Sequence, residues 1–537
     1  MSGRGPDQGP VVVVGNGPVG QTAALLLARW GVPTTIVDAR GGRDGAGSRA
    51  ICQQRDVLDV WSAVGAGEQI AREGLAWERG RTFYGDRELF CTTFPDRGRS
   101  PFPPLVNISQ ARTEQLLDQA VAASPRIDVR WGSEVDALTQ DDHGVTVGGR
   151  SPAGRFELRA PYVIACAGSR SDDLRAALGL DFPGRTFDER FLICDIRADL
   201  PGWQRERRFW FDPSWNPGRQ VLVHPCPGGT YRIDWQVAPG FELAGERATG
   251  GLHRRVRQIV GDRPYELVWT SAYRFHSRRV PRMRVGRVLL AGDMAHLFSP
   301  FGARGLNSGV ADAENAAWKV AFALRGWGGA ALLESYDRER LAAATENLEV
   351  TTATMEFLVP ADDRARRRRR EVLERALLDP AARTEIDSGR FAEPYWYVDS
   401  PLTTTHPERT FSGRPPRGQA PPVVPGILVP DAPVRVPDRP GVTRLRQLVR
   451  SGLLALTTDG VEPRRALGTL RRSVTAPVQA HALASIDVEG VLAEALQARR
   501  GETWLIRPDG HLAAVVGDAS DALEAAARRC LGMVRPA

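Results

Sequence analysis

The sequence predicts an α/β protein whose main sheet is parallel, split along the chain by a second, strand-rich unit and followed by a small α/β domain. Two remote stretches and the segment between them carry that prediction. Val11-Val12-Val13-Val14 is a continuous β-branched run, as expected of a strand buried on both faces, and a Gly-rich turn and a helical pattern follow it. Far downstream a short apolar strand again ends at Gly292-Asp293, and a second Gly-rich turn opens an amphipathic helix near Asn307. Between them, from about 183 to 274, short strands and turns take over, at 191–196, 208–211, 220–224 and 231–237. That change reads as a sheet-rich unit interrupting the first.

The other elements follow in order. Residues 1–10 read as a loose tail. Arg49-Ala50-Ile51 leads into a helix over 56–64, and 76–104 is aromatic and ends in a proline-rich turn. A helix is predicted over 110–123 and strands over 127–163, with Val163-Ile164-Ala165-Cys166 another buried strand. Residues 320–395 are helix-rich, and 400–441 is dense in proline and glycine, as a long connection would be. The last stretch suggests a helix at 445–449, strands at 453–457, 503–506 and 513–516, and a helix at 519–530. The expected domains are 1–75, 101–182 and 275–395 as one discontinuous unit, 76–100 with 183–274 as the inserted sheet, 396–441 as a linker, and 442–537.

At 537 residues the chain has room for two to four domains with large cores, and 42% hydrophobic with 25% charged content is that of a globular protein. No apolar run approaches the ~20 residues of a membrane span, and the N-terminus lacks a signal-peptide pattern. The six cysteines (Cys52, Cys91, Cys166, Cys194, Cys226, Cys530) are scattered with no metal spacing, so we expect no metal site, reduced thiols and a cytoplasmic location. The formal charge is +7 and Lys319 is the sole lysine. The arginine run at 366–370 would suit nucleic acid, but Glu371 and Glu374 follow in helical pattern and no aromatic residues interleave to stack bases. It reads as a solvated helix face, and neither nucleic acid nor membrane is an expected partner.

The two Gly-rich turns carry the chemistry. Gly15 suits a tight turn, Gly17 close approach of a pyrophosphate, and Gly20 helix–strand packing. Asp38, 18 residues past Gly20, stands where a carboxylate accepts from ribose hydroxyls. Downstream, a carboxylate at a strand end precedes a helix N-terminus, which carries about half a positive charge and unpaired N–H groups that hold an anion. A dinucleotide at the first and an electron-rich ring edge at the second make FAD the leading ligand.

These residues resemble the class A flavoprotein aromatic hydroxylases, particularly the phenol and 3-(3-hydroxyphenyl)propionate hydroxylase branch. The likeness spans nearly the whole chain and is carried by Gly15-x-Gly17-x-x-Gly20 with Asp38, Ser48-Arg49-Ala50, Asn107 to Gln110, and Gly292-Asp293 through Asn307. It implies a discontinuous Rossmann-type FAD-binding domain, an inserted β-sheet substrate domain and a thioredoxin-like C-terminal α/β domain. It implies NADH or NADPH as electron donor, O2 adding at the flavin C4a carbon, and a hydroperoxide passing one oxygen to a small phenolic substrate; a homodimer is compatible with it. By position, Gly15, Gly17, Pro18, Val19 and Gly20 would form the pyrophosphate turn, with Asp38, Ala39 and Arg40 at the ribose. Arg49 and Gln110 would close over the phosphates and sugar, Ala167 and Gly168 would border the cofactor, and Asp293 would bind the ribitol. Pro300, Gly302, Arg304, Gly305, Leu306 and Asn307 would flank the isoalloxazine, amides toward its N1–C2 edge.

Two positions depart from that pattern. Gly302-Ala303-Arg304-Gly305 stands where Gly-Gly-Gln-Gly is usual, leaving Arg304 either beside the ring, on an acidic group there, or turned outward to solvent. Ala167-Gly168 stands where Asp-Gly is usual, and the lost carboxylate raises a second reading, a flavin-fold protein that binds aromatic ligands but is poorly reduced. A third is oxygen insertion beside a ketone, or other oxidative tailoring of an aromatic natural product. No motif fixes a catalytic base. His224, His276, Tyr84 and Tyr231 are candidates, with Arg81 and Arg208 as stabilisers of a carboxylate or phenolate, and His296 is expected to order its turn. The C-terminal domain has no redox dithiol.

Overall fold

Val11–Val14 forms an inner strand of a six-stranded sheet, every residue 5% exposed or less. It pairs in parallel with Thr34–Val37 on one side and Val163–Ala165 on the other, in registers Val13↔Ile36 and Val13↔Ile164. The sheet continues to Ile127–Arg130 at one edge and, through Val288–Leu290, to the short antiparallel Arg284–Val285 at the other. Each fully buried valine contributes roughly 1.5–3 kcal/mol, so this strand alone anchors the layer. The computed structural model describes residues 9–43, 50–93, 99–386, 391–415 and 422–534.

Two helices cover one face. Pro18–Arg29 starts with proline in its first turn, where no N–H is needed. Arg304–Leu324 packs along it so closely that a Cβ on Gly309 would stand 2.6 Å from Val19. The helix expected over 56–64 is Arg55–Ser62, entered from a short strand, Cys52–Gln54.

The inserted unit is an eight-stranded sheet in the order His296–Leu297, Tyr265–Arg279, Gly184–Ala198, Thr230–Val237, Gln220–Cys226, Glu206–Phe211, Arg79–Tyr84, Arg87–Thr93. All neighbours are antiparallel except Glu206–Phe211 against Arg79–Tyr84. One face is apolar: Leu192, Cys194, Val221, Val223, Ile233 and Trp235 are buried against the helix Gly251–Val260. The other face turns toward the parallel sheet. Its edge strand His296–Leu297 begins two residues after the turn Gly292–Met294, so the two sheets share one short connection.

At the C-terminus a four-stranded sheet runs Val478–Ala482, Leu453–Thr457, Thr503–Ile506, Leu512–Val516. Pro463–Ser473 and Ser520–Cys530 cover one face, and Trp318 and Phe322 of the long helix Arg304–Leu324 enter that core. The other face is covered by residues from 423–449, among them Val424, Ile427, Val429 and Val434. Between 391 and 444 the described residues contain no helix and no strand beyond isolated bridges, yet this stretch is packed, not free. Buried ion pairs tie the unit down: Arg450 to Asp59 and Glu314 at 2.8 and 2.6 Å, and Arg507 to Glu339 at 2.6 Å. Removing one partner of such a pair costs about 3–5 kcal/mol.

Candidate functional site

A cavity of about 1010 Å³ lies between the parallel sheet and the inserted sheet, and both build its walls. On the first side the backbone does the work. A Cβ on Gly15 (φ +102°) would meet the Cys166 carbonyl oxygen at 2.4 Å, and one on Gly20 would sit 1.9 Å from the Gly15 oxygen. Gly17 has nothing within 4 Å and opens on the cavity, as do Gly168 (φ +83°) and Gly305. Pro18 and Val19 line the same wall. This is a cradle of bare amides, shaped for close approach of an elongated anionic ligand.

Asp38 ends its strand 7% exposed and accepts four hydrogen bonds: from the Asn16 amide (2.6 Å) and from Arg40 through its amide, Nε and Nη2 at 2.9, 3.0 and 2.9 Å. Burial disfavours its charge, but Arg40 and the two amides outweigh that and hold the carboxyl below its ordinary value. Its ~four acceptor positions are thus already used, and a ribose hydroxyl would share them with the half-exposed Arg40. Ala39 and Arg40 line the cavity, and so do Ala167, Gly168 and Gln110, whose Oε1 accepts from the Ala50 amide at 3.1 Å. Arg49 lies outside the described residues.

The downstream half is set by one buried carboxylate. Asp312 accepts from the Gly292 amide at 3.0 Å and pairs with His296 Nε2 at 2.7 Å and Arg340 Nε at 2.6 Å. Burial opposes its ionisation, and Arg340 and His296 reverse that and hold it ionised. The turn is therefore fixed from behind, with Asp293 facing the cavity. Pro300, Gly302, Gly305 and Leu306 line it as the helix opens at Ala303, itself left-handed at φ +57°. The helix begins at Arg304, three residues before Asn307.

Arg304 lines the cavity but is turned inward, not to solvent: it is 4% exposed and donates to Asn347 Oδ1 and, at 3.4 Å, to the Phe391 carbonyl. Asn307 does not line the cavity. Its side chain accepts from the Gln54 amide and donates to the Cys52 and Ala303 carbonyls, clamping the Cys52–Gln54 strand to the helix start. Gly20 also lies behind the wall, as a packing glycine must.

The opposite wall is made of side chains from the inserted sheet, where cross-strand pairing decides which face each takes. Arg232 opposes His224 on one neighbouring strand and Asp195 on the other, and Asp195 opposes Trp269. Arg208 pairs with Val223, so Arg207 falls beside His224. One row, Arg207–His224–Arg232–Asp195–Trp269, therefore crosses the sheet on the cavity face, with Asp234, Ser271, Tyr273 and Phe275 beyond it. His224 is held neutral, well below its ordinary value, by burial and then by Arg207 and Arg232. Burial pushes Asp195 up to about 6, Arg232 pulling it back and Asp234 adding to the rise.

Of the acid–base candidates only His224 lines the cavity. His276 bonds Thr186 Oγ1 at 2.9 Å, Tyr84 packs in an aromatic cluster, and Tyr231 lies on the far, apolar face. Arg81 pairs with Glu206 and Glu88; Arg208 pairs with Glu206 and stacks on Trp203 at 4.0 Å. Arg207, Arg232, Asp234 and the aromatic rings of Tyr273, Phe275 and Phe301 were missed. Strand parity is the signal that finds all but Phe301, which sits in the turn before the helix at Arg304, once one residue of each strand is placed. Among the described residues no cluster of His, Cys, Asp and Glu could hold a metal ion, and no helix is long and apolar enough to cross a membrane.

A cradle built for a dinucleotide, opening on a ring-sized apolar and basic chamber, defines a flavoprotein site. The chain belongs to the FAD binding domain family, whose pattern matches residues 8–351, and FAD is its cofactor. It is 29% identical over 382 residues to 3-(3-hydroxy-phenyl)propionate/3-hydroxycinnamic acid hydroxylase of Mycobacterium sp. (strain KMS), covering 71% of this chain and 65% of that one. The Comamonas testosteroni protein of the same name is 27% identical, covering 68% and 62%. The chain thus spans under two thirds of these relatives' length. Among solved structures it is similar to the flavin-dependent monooxygenase PieE in complex with FAD and substrate, with TM-score 0.82 at 25% identity, covering 97% of this chain and 98% of that one. It is also similar to p-nitrophenol 4-monooxygenase PnpA from Pseudomonas putida DLL-E4, with TM-score 0.61 at 26% identity over 71% and 99%.

Proposed function

We propose that the protein is an FAD-dependent monooxygenase that hydroxylates a small phenolic or related aromatic compound, drawing electrons from NADH or NADPH and oxygen from O2. The observation that carries this reading is one cavity shared by the glycine cradle and the aromatic, basic face of the inserted sheet. FAD supplies hydride acceptance and oxygen activation when bound. The protein's part is position, field and exclusion of water. Gly15, Gly17 and the helix start at Arg304 would hold the cofactor, the helix amides favouring negative charge on the ring edge without reorganisation. Phe275 and Phe301, packed edge to face at 6.2 Å, and Tyr273 form an apolar wall that orients a substrate ring and keeps water out. His224, neutral, can accept a proton or hydrogen bond from a phenol. All six cysteines are free, which suits a reducing cytoplasm.

One observation favours a second reading, a flavin-bearing aromatic binder that is poorly reduced. Ala167 stands two residues past the Val163–Ala165 strand where a carboxylate is usual, and there Ser171 Oγ donates to the Ala167 and Gly168 carbonyls. The decisive experiment mixes FAD-loaded protein with NADH or NADPH under anaerobic conditions, with and without phenols, and then admits ¹⁸O₂. Bleaching of the flavin followed by a product carrying one labelled oxygen is the expected result. No bleaching with either donor, FAD still bound, favours the binder, and failure to take up FAD sinks both.

A further inference from the structure

Among the described residues none beyond Phe391 lines the cavity. Yet the short stretch 391–397 is tied to both turns of its downstream half. At its start the Ala392 amide donates to the Gly302 carbonyl at 2.7 Å, and the Phe391 carbonyl accepts from Arg304. At its end the Tyr397 hydroxyl accepts from Arg340 Nη1 at 2.9 Å and from Asn315 Nδ2 at 3.1 Å. Arg340 passes that contact on to Asp312, which holds the Gly292 amide and His296. One segment thus reaches the turn around Gly302 directly and the turn at Gly292-Asp293 through two side chains.

The C-terminal unit grips the same segment. The Tyr397 amide donates to the Gly426 carbonyl at 2.8 Å, and its ring lies 4.3 Å from that of His511 and 4.9 Å from the Arg507 guanidinium carbon. Arg507 donates twice to Glu339, at 2.6 and 3.0 Å, and Glu339 precedes Arg340 on the helix Ala331–Leu358. Lys319, Arg340 and Arg507 here meet Asp312, Glu339 and Asp509, and neither these six nor Tyr397 is more than 3% exposed. Each charge is answered, and a satisfied buried network rigidifies what it joins. Amides that must stabilise charge on a bound ring act best when they stand fixed beforehand.

We propose that Tyr397 is a positioning residue for the flavin. Its hydroxyl links the C-terminal unit, through Arg340 and Asp312, to the turn that presents Asp293, while the segment it ends braces Gly302. The C-terminal unit, which has no redox dithiol and no residue on the cavity, thereby tunes how tightly FAD is held and how readily it is reduced. This inference rests on FAD binding alone and stands whether or not the bound flavin hydroxylates a phenol.

The FAD-loaded protein and two variants are compared for FAD dissociation constant, flavin midpoint potential and melting temperature. Tyr397→Phe keeps the ring and removes the acceptor of Arg340 Nη1. It should bind FAD about tenfold more weakly, the size of one buried hydrogen bond to a charged group. Its potential should fall by about 30 mV, a further tenfold loss for the reduced flavin of a two-electron couple, because loosened amides favour the reduced anion less. Glu502→Gln breaks the buried pair with Arg409 in the same unit, which joins no residue of 391–397. It should lower the melting temperature with affinity and potential unchanged. An unmoved affinity or potential in folded Tyr397→Phe overturns the proposal, and so does an equal shift of both in Glu502→Gln, which would mark general loosening. Coupling of this kind is reciprocal, so the wild type decides the matter if Tyr397→Phe does not fold. Loading FAD should slow amide exchange over 395–397, which lies off the cavity, at least tenfold and leave exchange around Arg409 as it was. Unaltered exchange over 395–397 overturns the proposal.

Discussion

The two walls of the cavity are built on opposite plans. On the parallel-sheet side the contacts offered to a ligand are main-chain groups, and the residues that matter are those lacking a side chain: Gly15, Gly17, Gly168 and Gly305. On the inserted-sheet side they are side chains, and what matters is the face each one takes. A backbone-built wall is specified by local sequence, since a glycine at a fixed spacing can do what no other residue does. A side-chain wall is specified by pleat parity, and one residue of slip moves the whole set to the other face.

The largest effect should come from testing the first plan against itself. Gly20→Ala places a Cβ 1.9 Å from the Gly15 oxygen, and should cost about 3 kcal/mol or more and abolish FAD uptake. Gly17→Ala meets open space, so it should fold with near-normal thermal stability while FAD affinity falls. Equal melting temperatures for the two would break the distinction between packing and approach. Next comes pH, to which the side-chain wall should respond between about pH 4 and 6. Asp195 is raised from 3.8 to about 6 by burial, against Arg232 and with Asp234. A raised carboxyl stabilises the fold fully below its unfolded value and loses that contribution as pH rises through the folded one. Wild type should therefore lose about 2 kcal/mol relative to Asp195→Asn between roughly pH 4 and 6, read from melting curves; parallel curves would contradict it. The smallest effect is expected from parity. His224→Asn should raise the phenol KM about tenfold, whereas His276→Asn, on the other face, should stay within about 0.5 kcal/mol in both stability and binding.

Legibility in the sequence followed the same division. The βαβ unit, the turn at Gly292-Asp293 and four strands of the inserted sheet, those at 191–196, 208–211, 220–224 and 231–237, could be read, because valine runs and glycine spacings act locally. The family likeness then supplied the order of the pieces. Glu206–Phe211 shows where reading fails: Glu-Arg-Arg-Phe-Trp-Phe offers an arginine and an aromatic residue to each face, so composition favoured Arg208 no less than Arg207. Only the pairing with Gln220–Cys226 decides between them. Tyr265–Arg279 passed unnoticed for a related reason. It is half-buried on both sides and rich in arginine, so it lacks the alternation that marks a strand. Arg304 and Asn307 were placed at the right turn, but their destinations, Asn347 and Gln54, come from elements 43 and 253 residues away in the chain.

The edge strand His296–Leu297 pairs with Arg278 and Arg279 immediately after the turn that presents Asp293. The two architectures are stitched along that seam, and Asp312 holds the stitch from behind. A substrate sheet grafted from a relative would therefore have to bring matching partners for those two residues, or the cofactor turn would move with it. Chimaeras cut at 296–297 should lose flavin even when every glycine of the cradle is kept.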